Sequence, residues 1–281
     1  MSSSQTATPL PALPTAQGVD PLRVVVLTCS AAGWEAAHAL YGAAGARVVG
    51  VVQTPLAKPK SLRARLRNVY RYHGLAGIMR IPFNQVRTRR DEFESARRAT
   101  PTIPLLRFRN FHDDDCLAAL AALRPDLAVV DGTYMLRESV FLLPRYGSIN
   151  LHCGRLPDYR GAPPAFWELY NGEREVGVTV HRVTAKLDEG PILQQEHFPI
   201  DPAPAGDPLE YVNRVWLEVL RPNGLRMIAE SVRRVAAGTS VERPQGRTSV
   251  STYRRPDVKA TRELRARLRA RRTEAAARPA P

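Results

Sequence analysis

The feature that most restricts the fold is an apolar run that does not alternate, LRVVVLT at residues 22–28. Alternation would leave one face polar, whereas a continuous run must be covered on both faces, as the strands of a parallel sheet are. A short turn at residues 29–33 follows, then a helical pattern from Trp34 to Ala44 and a second run, Ala46 to Val52. Strand, turn, helix, strand opens a doubly wound sheet, and PDLAVVD at 125–131 supplies a further buried strand. The expected fold class is therefore α/β, with a doubly wound, mostly parallel sheet. The turn holds only Gly33 and no G-x-G-x-x-G, so it reads as a tight turn without a dinucleotide fingerprint.

At 281 residues the chain suits one sizeable domain with appendages, or two small ones. No run approaches the roughly 18 apolar residues of a membrane helix. Residues 1–20 lack a basic start followed by an apolar core and read as a disordered extension. Cys29, Cys116 and Cys153 share no metal-like spacing, and an odd number of cysteines suits a reducing, cytoplasmic setting. The net charge of +14 opens the question of a nucleic-acid, membrane or phosphate partner. That charge concentrates in residues 58–109 and 254–272, away from the chemistry-bearing segment, so nucleic acid is an open but not favoured partner. Leu62, Leu66, Val69 and His73 share one helical face and Arg63, Arg67 and Arg71 another, as in a surface or substrate-side helix, with a basic amphipathic helix meeting a membrane or RNA as the alternative. His112-Asp113-Asp114-Asp115-Cys116 cannot converge on one ion; its acids precede a helix at 116–123 and suit the dipole there. No metal site is expected.

The chemistry gathers between Ser148 and Gly190. Asn150 and His152 lie two apart at the end of a strand and so share a face. A Pro/Gly-rich loop, Leu156 to Pro164, leads to a short helical run (Phe166, Trp167, Leu169, Tyr170) stopped at Asn171-Gly172. Val176, Val178 and Val180 alternate with Gly177, Thr179 and His181, the pattern of a strand buried on one face. An acidic turn, Leu187-Asp188-Glu189-Gly190, closes the segment. An amide can hold a developing oxyanion, an imidazole can donate or move a proton, and a carboxylate beside an imidazole orients it and favours its charged form. The plain alternative is that Asn150 ends the strand, His152 is a satisfied core histidine and Asp188 caps a turn.

The ordered set Asn150-x-His152, Leu156-Pro157-x-Tyr159-Arg160-Gly161, Gly177-Val178-Thr179 and Leu187-Asp188-x-Gly190 resembles the catalytic domain of the 10-formyltetrahydrofolate-dependent formyltransferases. The likeness runs from about Leu22 to about Ile200, and departs from the family in having Cys153 after the histidine. It implies a Rossmann-like fold, 10-formyltetrahydrofolate as formyl donor, and Asn150, His152 and Asp188 as catalytic residues. It also implies a folate pocket with Tyr134, Met135 and Leu136 on one wall and Ala185, Leu187 and Gly190 opposite. Arg160 and Gly161 become substrate-side candidates, Arg160 meeting an anionic group or making a structural ion pair. Trp167 and Tyr170 either stack on the acceptor or belong to the core.

The implied organisation is a disordered 1–20, a catalytic domain at 21–205, a helical subdomain at 206–255 and a basic tail at 256–281. In the subdomain, Pro208 to Ala237 reads as two helices broken at Pro222 and Gly224. The tail is helix-competent over Thr261–Arg272 and expected disordered from Ala275. The acceptor implied is a primary amine on a small molecule, with a nucleotide-linked amino sugar favoured. The turn at 29–33 lacks the phosphate loop of the glycinamide-ribonucleotide enzymes, and the residues after Val241 are too few for the barrel of the methionyl-tRNA enzymes. Methionyl-tRNA remains an alternative acceptor. Formyltetrahydrofolate hydrolysis and a non-catalytic RNA- or anion-binding role remain alternative functions.

Overall fold

The computed structural model describes residues 8–15, 20–30, 32–55, 102–161, 163–248 and 252–277. At its centre the described residues form a sheet in the order β3-β2-β1-β4-β5-β6-β7. The strands are β1 (Leu22–Thr28), β2 (Ala46–Gln53), β3 (Leu105–Arg107), β4 (Leu127–Asp131), β5 (Ser148–His152), β6 (Glu175–Arg182) and β7 (Ile192–Pro199). Strands β1 to β5 are parallel, and β6 pairs antiparallel with both β5 and β7. The non-alternating runs occupy the middle: Val24 to Leu27 and Leu127 to Val129 are fully buried. One face is covered by helices α1 (Ala32–Leu40) and α6 (Arg221–Ala236), through Trp34, Leu40, Ile228 and Val232. The other is covered by α2 (Asp114–Ala122) and α3 (Glu138–Phe141), through Cys116, Leu120, Val140 and Phe141. The chain returns from β3 to lay β4 beside β1, so the order reverses there. Ligands of such sheets bind where the strand ends part at that reversal.

Several expectations need correction. Strand β6 is buried on both faces apart from Glu175, because the loop after β5 folds over the face expected to meet water. Thr179 Oγ1 donates to Gly154 O at 2.8 Å and Gly177 lies against the Arg155 backbone. Pro222 and Gly224 do not break the helical run: α5 (Pro208–Val215) continues through a π turn (Trp216–Leu220) into α6. Pro222 stands directly after the π turn, at the second residue of α6. Gly224 lets α6 approach β5, since a Cβ there would lie 3.1 Å from Leu151 Cδ1.

The basic tail is an ordered helix, α7 (Val258–Ala277), docked on α4 (Phe166–Asn171). Leu264 and Leu268 lose essentially all their surface against Phe166 and Leu169, and burying two leucines contributes about 3–6 kcal/mol before entropy is counted. Much of its charge is satisfied locally: Arg265 pairs with Asp207 at 2.8 Å, and Arg271 donates to the carbonyls of Leu169 and Tyr170. Within the N-terminal extension, residues 8–15 lie along the body instead of being free, with Leu10 and Leu13 packed on the two cores and Pro11 O accepting from buried Arg182 at 2.8 Å. Helix α2 begins at Asp114 with Asp113 at its N-cap position, and Asp115 Oδ1 accepts from Cys116 N at 2.7 Å. The basic helical face at 62–73 lies outside the described residues.

Candidate active site

Strand β5 brings Asn150 and His152 to the same face near the carboxyl end of the sheet. The antiparallel register of β6 sets His181 directly opposite Asn150. The loop Gly154–Pro164 and the turn at Leu187–Gly190 close over this face, and Asp188 takes a left-handed backbone (φ 52°), a conformation aspartate tolerates better than most residues. Asp188 Oδ2 accepts from Gly161 N at 2.9 Å, which ties the turn to the Pro-rich loop. The amide, ring and acid are therefore brought together although nearly forty residues separate the first from the last.

Hydrogen positions follow from the partners. Carbonyl oxygens only accept, so His181 Nδ1, 2.8 Å from Arg182 O, carries a proton. Burial pushes the His181 pKa down to about 4, against the pull of Asp188, so the ring is neutral near pH 7 and its Nε2 is an acceptor. Asn150 Nδ2 donates to that Nε2 at 3.1 Å, which fixes the amide orientation and leaves its second hydrogen unassigned. The 3.7 Å approach of His181 Nε2 to Asp188 Oδ1 is thus not an ion pair at neutral pH. By the same reasoning His152 Nε2 donates to Tyr159 O at 2.7 Å. The Nδ1 of His152 stands 3.7 Å from Asp188 Oδ2, beyond a hydrogen bond. What orients the His152 ring is the Tyr159 carbonyl, with Asp188 one small movement away.

Behind this set sits a buried charge cluster that pattern reading missed. Arg221 donates through Nη1 to Asp131 at 2.9 Å, through Nε to Glu35 at 2.5 Å and through Nη2 to Ala32 O. Burial pushes the Asp131 carboxyl up while Arg221 pulls it down, and the two carboxylates hold Arg221 above its ordinary value in spite of its burial. Cys153 lies close by, its thiol pushed up to about 12 by burial and then by the Asp131 charge, so it is an un-ionised small side chain there.

A cavity of about 1340 Å³ opens onto Asn150, His152, Asp188 and His181. Tyr134, Met135, Leu136 and Leu187 line it, as do Trp216, Tyr253, Arg254 and Arg255. Met135 and Leu187 are 55% and 39% exposed, unusually open for large apolar side chains. Ala185 and Gly190 are not among the lining residues: Ala185 faces solvent, and Gly190 is pressed on Arg182, where a Cβ would come within 1.9 Å of the carbonyl oxygen. Of the two substrate-side candidates Gly161 lines the cavity, while Arg160 is engaged with Glu189 at 2.8 Å and with Gln245. Trp167 and Tyr170 do not line it; Trp167 stacks on Tyr253 and Tyr170 bonds Glu263. Among the described residues no cluster of three or more His, Cys, Asp or Glu could hold a metal, and no helix is long and apolar enough to cross a membrane.

The doubly wound sheet thus carries an amide, an imidazole and a carboxylate beside a large cleft at its strand ends. The family model described as formyl transferase matches residues 72–216, just over half of the 281, and the chain belongs to that family. Among curated relatives, the methionyl-tRNA formyltransferase of Parabacteroides distasonis is 38% identical over 143 residues, 51% of this chain and 42% of that protein. The one of Roseiflexus sp. is 36% identical over 145 residues, 51% and 42% of the two chains. The chain thus spans less than half the length of these relatives. Of solved structures, glycinamide ribonucleotide transformylase 1 from Symbiobacterium toebii shares the fold with a TM-score of 0.54 at 21% identity, covering 79% of this chain and 90% of that one. A likely sugar N-formyltransferase from Mycobacterium tuberculosis does so with a TM-score of 0.53 at 17% identity, covering 83% and 75%.

Proposed function

We propose that the protein transfers the formyl group of 10-formyltetrahydrofolate to the primary amine of a small acceptor. The observation that carries this reading is the meeting of Asn150, His152 and Asp188 at one wall of the cavity. Exposed Met135 and Leu187 on the same cavity fit the faces of a flat heterocycle such as a pterin, which supports folate as the donor. The free Nδ2 hydrogen of Asn150 stabilises negative charge developing on the formyl oxygen, an effect of about 3–4 kcal/mol for one such donor. His152 adds a second donor at Nδ1 when its ring is charged, because Nε2–H is held by Tyr159. Asp188 Oδ1, not the oxygen bonded to Gly161, takes a proton from the attacking amine, directly or through water. The new bond joins the amine nitrogen to the formyl carbon, the bond from that carbon to the folate nitrogen breaks, and the proton ends on the departing nitrogen.

The acceptor proposed is an amino sugar joined to a nucleotide. An indole and two guanidiniums (Trp216, Arg254, Arg255) line the cavity, groups suited to a base and its phosphates. Methionyl-tRNA is the second reading, favoured by the names of the curated relatives. The test is to incubate the protein and 10-formyltetrahydrofolate with nucleotide-linked amino sugars, with methionyl-tRNA, or with water alone, following formylated product by mass and tetrahydrofolate release by absorbance. Formylation of a sugar amine supports the first acceptor and of methionyl-tRNA the second. Tetrahydrofolate release without any formylated amine refutes transfer in favour of hydrolysis, and no turnover in any arm refutes the enzyme reading.

A further inference from the structure

The family match ends at Trp216, yet the segment after it holds both loops that close the site. Gln245 reaches in from a short stretch whose Arg243 bonds Ile192 in both directions, at 2.8 and 2.7 Å. Its Nε2 donates to Asp188 O at 2.9 Å and to Gly190 O at 2.7 Å, and its Oε1 receives Arg160 Nη2 at 3.4 Å. One amide therefore joins the Asp188 turn to the Pro-rich loop.

Tyr253 performs the complementary task on that loop. Its N–H donates to Arg160 O at 2.9 Å. Its ring stacks on Tyr159 (5.4 Å between centroids, 11° between planes) and on Trp167 (5.1 Å, 22°), and its hydroxyl receives Asn171 Nδ2 at 2.9 Å. Tyr159 supplies the carbonyl that orients His152, and Gly161, next to Arg160, supplies the N–H that orients Asp188. The fit is close, because a Cβ on Gly161 would come within 2.2 Å of Tyr253 O. The strap is anchored further along by α7, whose Leu264 and Leu268 pack on α4, and Trp167 Nε1 donates to Arg254 O at 2.9 Å.

We infer that this C-terminal segment is part of the catalytic apparatus, with Gln245 and Tyr253 acting as positioning residues for Asp188 and His152. The inference rests on the formyl-transfer reading above. Neither residue need touch the reacting atoms; each holds a loop whose displacement by about an ångström lowers the rate by about 100-fold.

The experiment compares full-length Tyr253→Ala, Tyr253→Phe and Gln245→Ala with the unaltered protein. It measures kcat and KM for formyl transfer, the Kd of 5-formyltetrahydrofolate, thermal stability, and hydrogen exchange of the peptides containing Gly161 and Asp188. Tyr253→Leu replaces the alanine variant if that one does not fold. The expected result is a kcat about 10- to 100-fold lower for Tyr253→Ala and Gln245→Ala, with faster exchange at Gly161 and KM less affected than kcat. Tyr253→Phe, which keeps both stacks, restores most of the rate. A lower melting temperature with kcat unchanged in the folded fraction overturns the inference, as does exchange at Gly161 equal to that of the unaltered protein. If the unaltered protein transfers no formyl group, it is the functional reading that fails, and the exchange comparison alone decides whether the strap holds the loops.

Discussion

Replacing Gly154 by alanine adds one carbon against the His152 ring. An alanine Cβ would lie 2.5 Å from His152 Nε2 and 2.5 Å from Tyr159 O, the two atoms whose 2.7 Å hydrogen bond orients the ring. Ordinary contact begins near 3.4 Å, so the ring, the loop or both must move by about 0.9 Å. Gly154 does not have a positive φ, so the penalty comes from contact and not from backbone strain. A displacement of that size in a catalytic group costs about 100-fold in rate, or about 2.7 kcal/mol in the barrier. Overpacking should also cost about 1–3 kcal/mol of stability. The assay is kcat for formyl transfer by Gly154→Ala at a temperature where urea denaturation shows it fully folded, beside the Kd for 5-formyltetrahydrofolate. The expectation is a large fall in kcat with folate affinity retained, because the cavity walls at Met135 and Leu187 are untouched. A variant that turns over within about twofold of the parent would show that the Tyr159 carbonyl does not set the His152 geometry that matters.

Asn150→Ala should lose about 10²–10³ in kcat with little change in KM, by removing a donor that acts chiefly as charge develops; equal losses in binding and turnover would contradict that role. Arg221→Met strands Asp131 and Glu35 without their guanidinium and should destabilise by about 3–5 kcal/mol in urea, with Asp131→Asn added in the same chain recovering part of it. Glu168 is buried, and burial raises its pKa from 4.5 to about 7. The folded state therefore holds a proton that the unfolded state releases between those values, and stability falls as pH rises through that window. Glu168→Gln removes the effect, so its stability relative to the parent should climb from near zero at about pH 4 to at most about 3 kcal/mol at pH 8. Because this is a difference between two chains, the opposite contribution of His181, lost as pH falls from 6.5 towards about 4, cancels. A pH-independent difference would mean that Glu168 is ionised in the folded protein.

Local pattern identified what depends on near neighbours in the chain. The unbroken apolar runs at 22–28 and 125–131 required strands covered on both faces, and both lie at the sheet centre. The two-residue spacing of Asn150 and His152 gave a shared face because strand side chains alternate, whatever the sheet around them. Asn171-Gly172 ended its helix as read, with Gly172 in a left-handed C-cap. Where the reading failed, partners distant in the chain overrode local pattern. Strand β6 alternates as a surface strand would, but the Gly154 loop covers its polar face. Pro222 and Gly224 look like a break until a π turn precedes them and Leu151 lies under the glycine.

The sequence by itself determined the sheet and the shared face of Asn150 and His152, since both follow from residue type and short-range period, whereas the choice of these two with Asp188 as site residues came from the ordered motifs that resemble a known family. Only the tertiary structure decided their chemistry: which His181 nitrogen accepts from Asn150, that a carbonyl and not a carboxylate holds His152, and that Gln245 and Tyr253 close the loops. Those contacts join residues as far as 93 positions apart. The protonation and orientation they impose arise from burial and hydrogen-bond geometry, which exist only after the chain has folded.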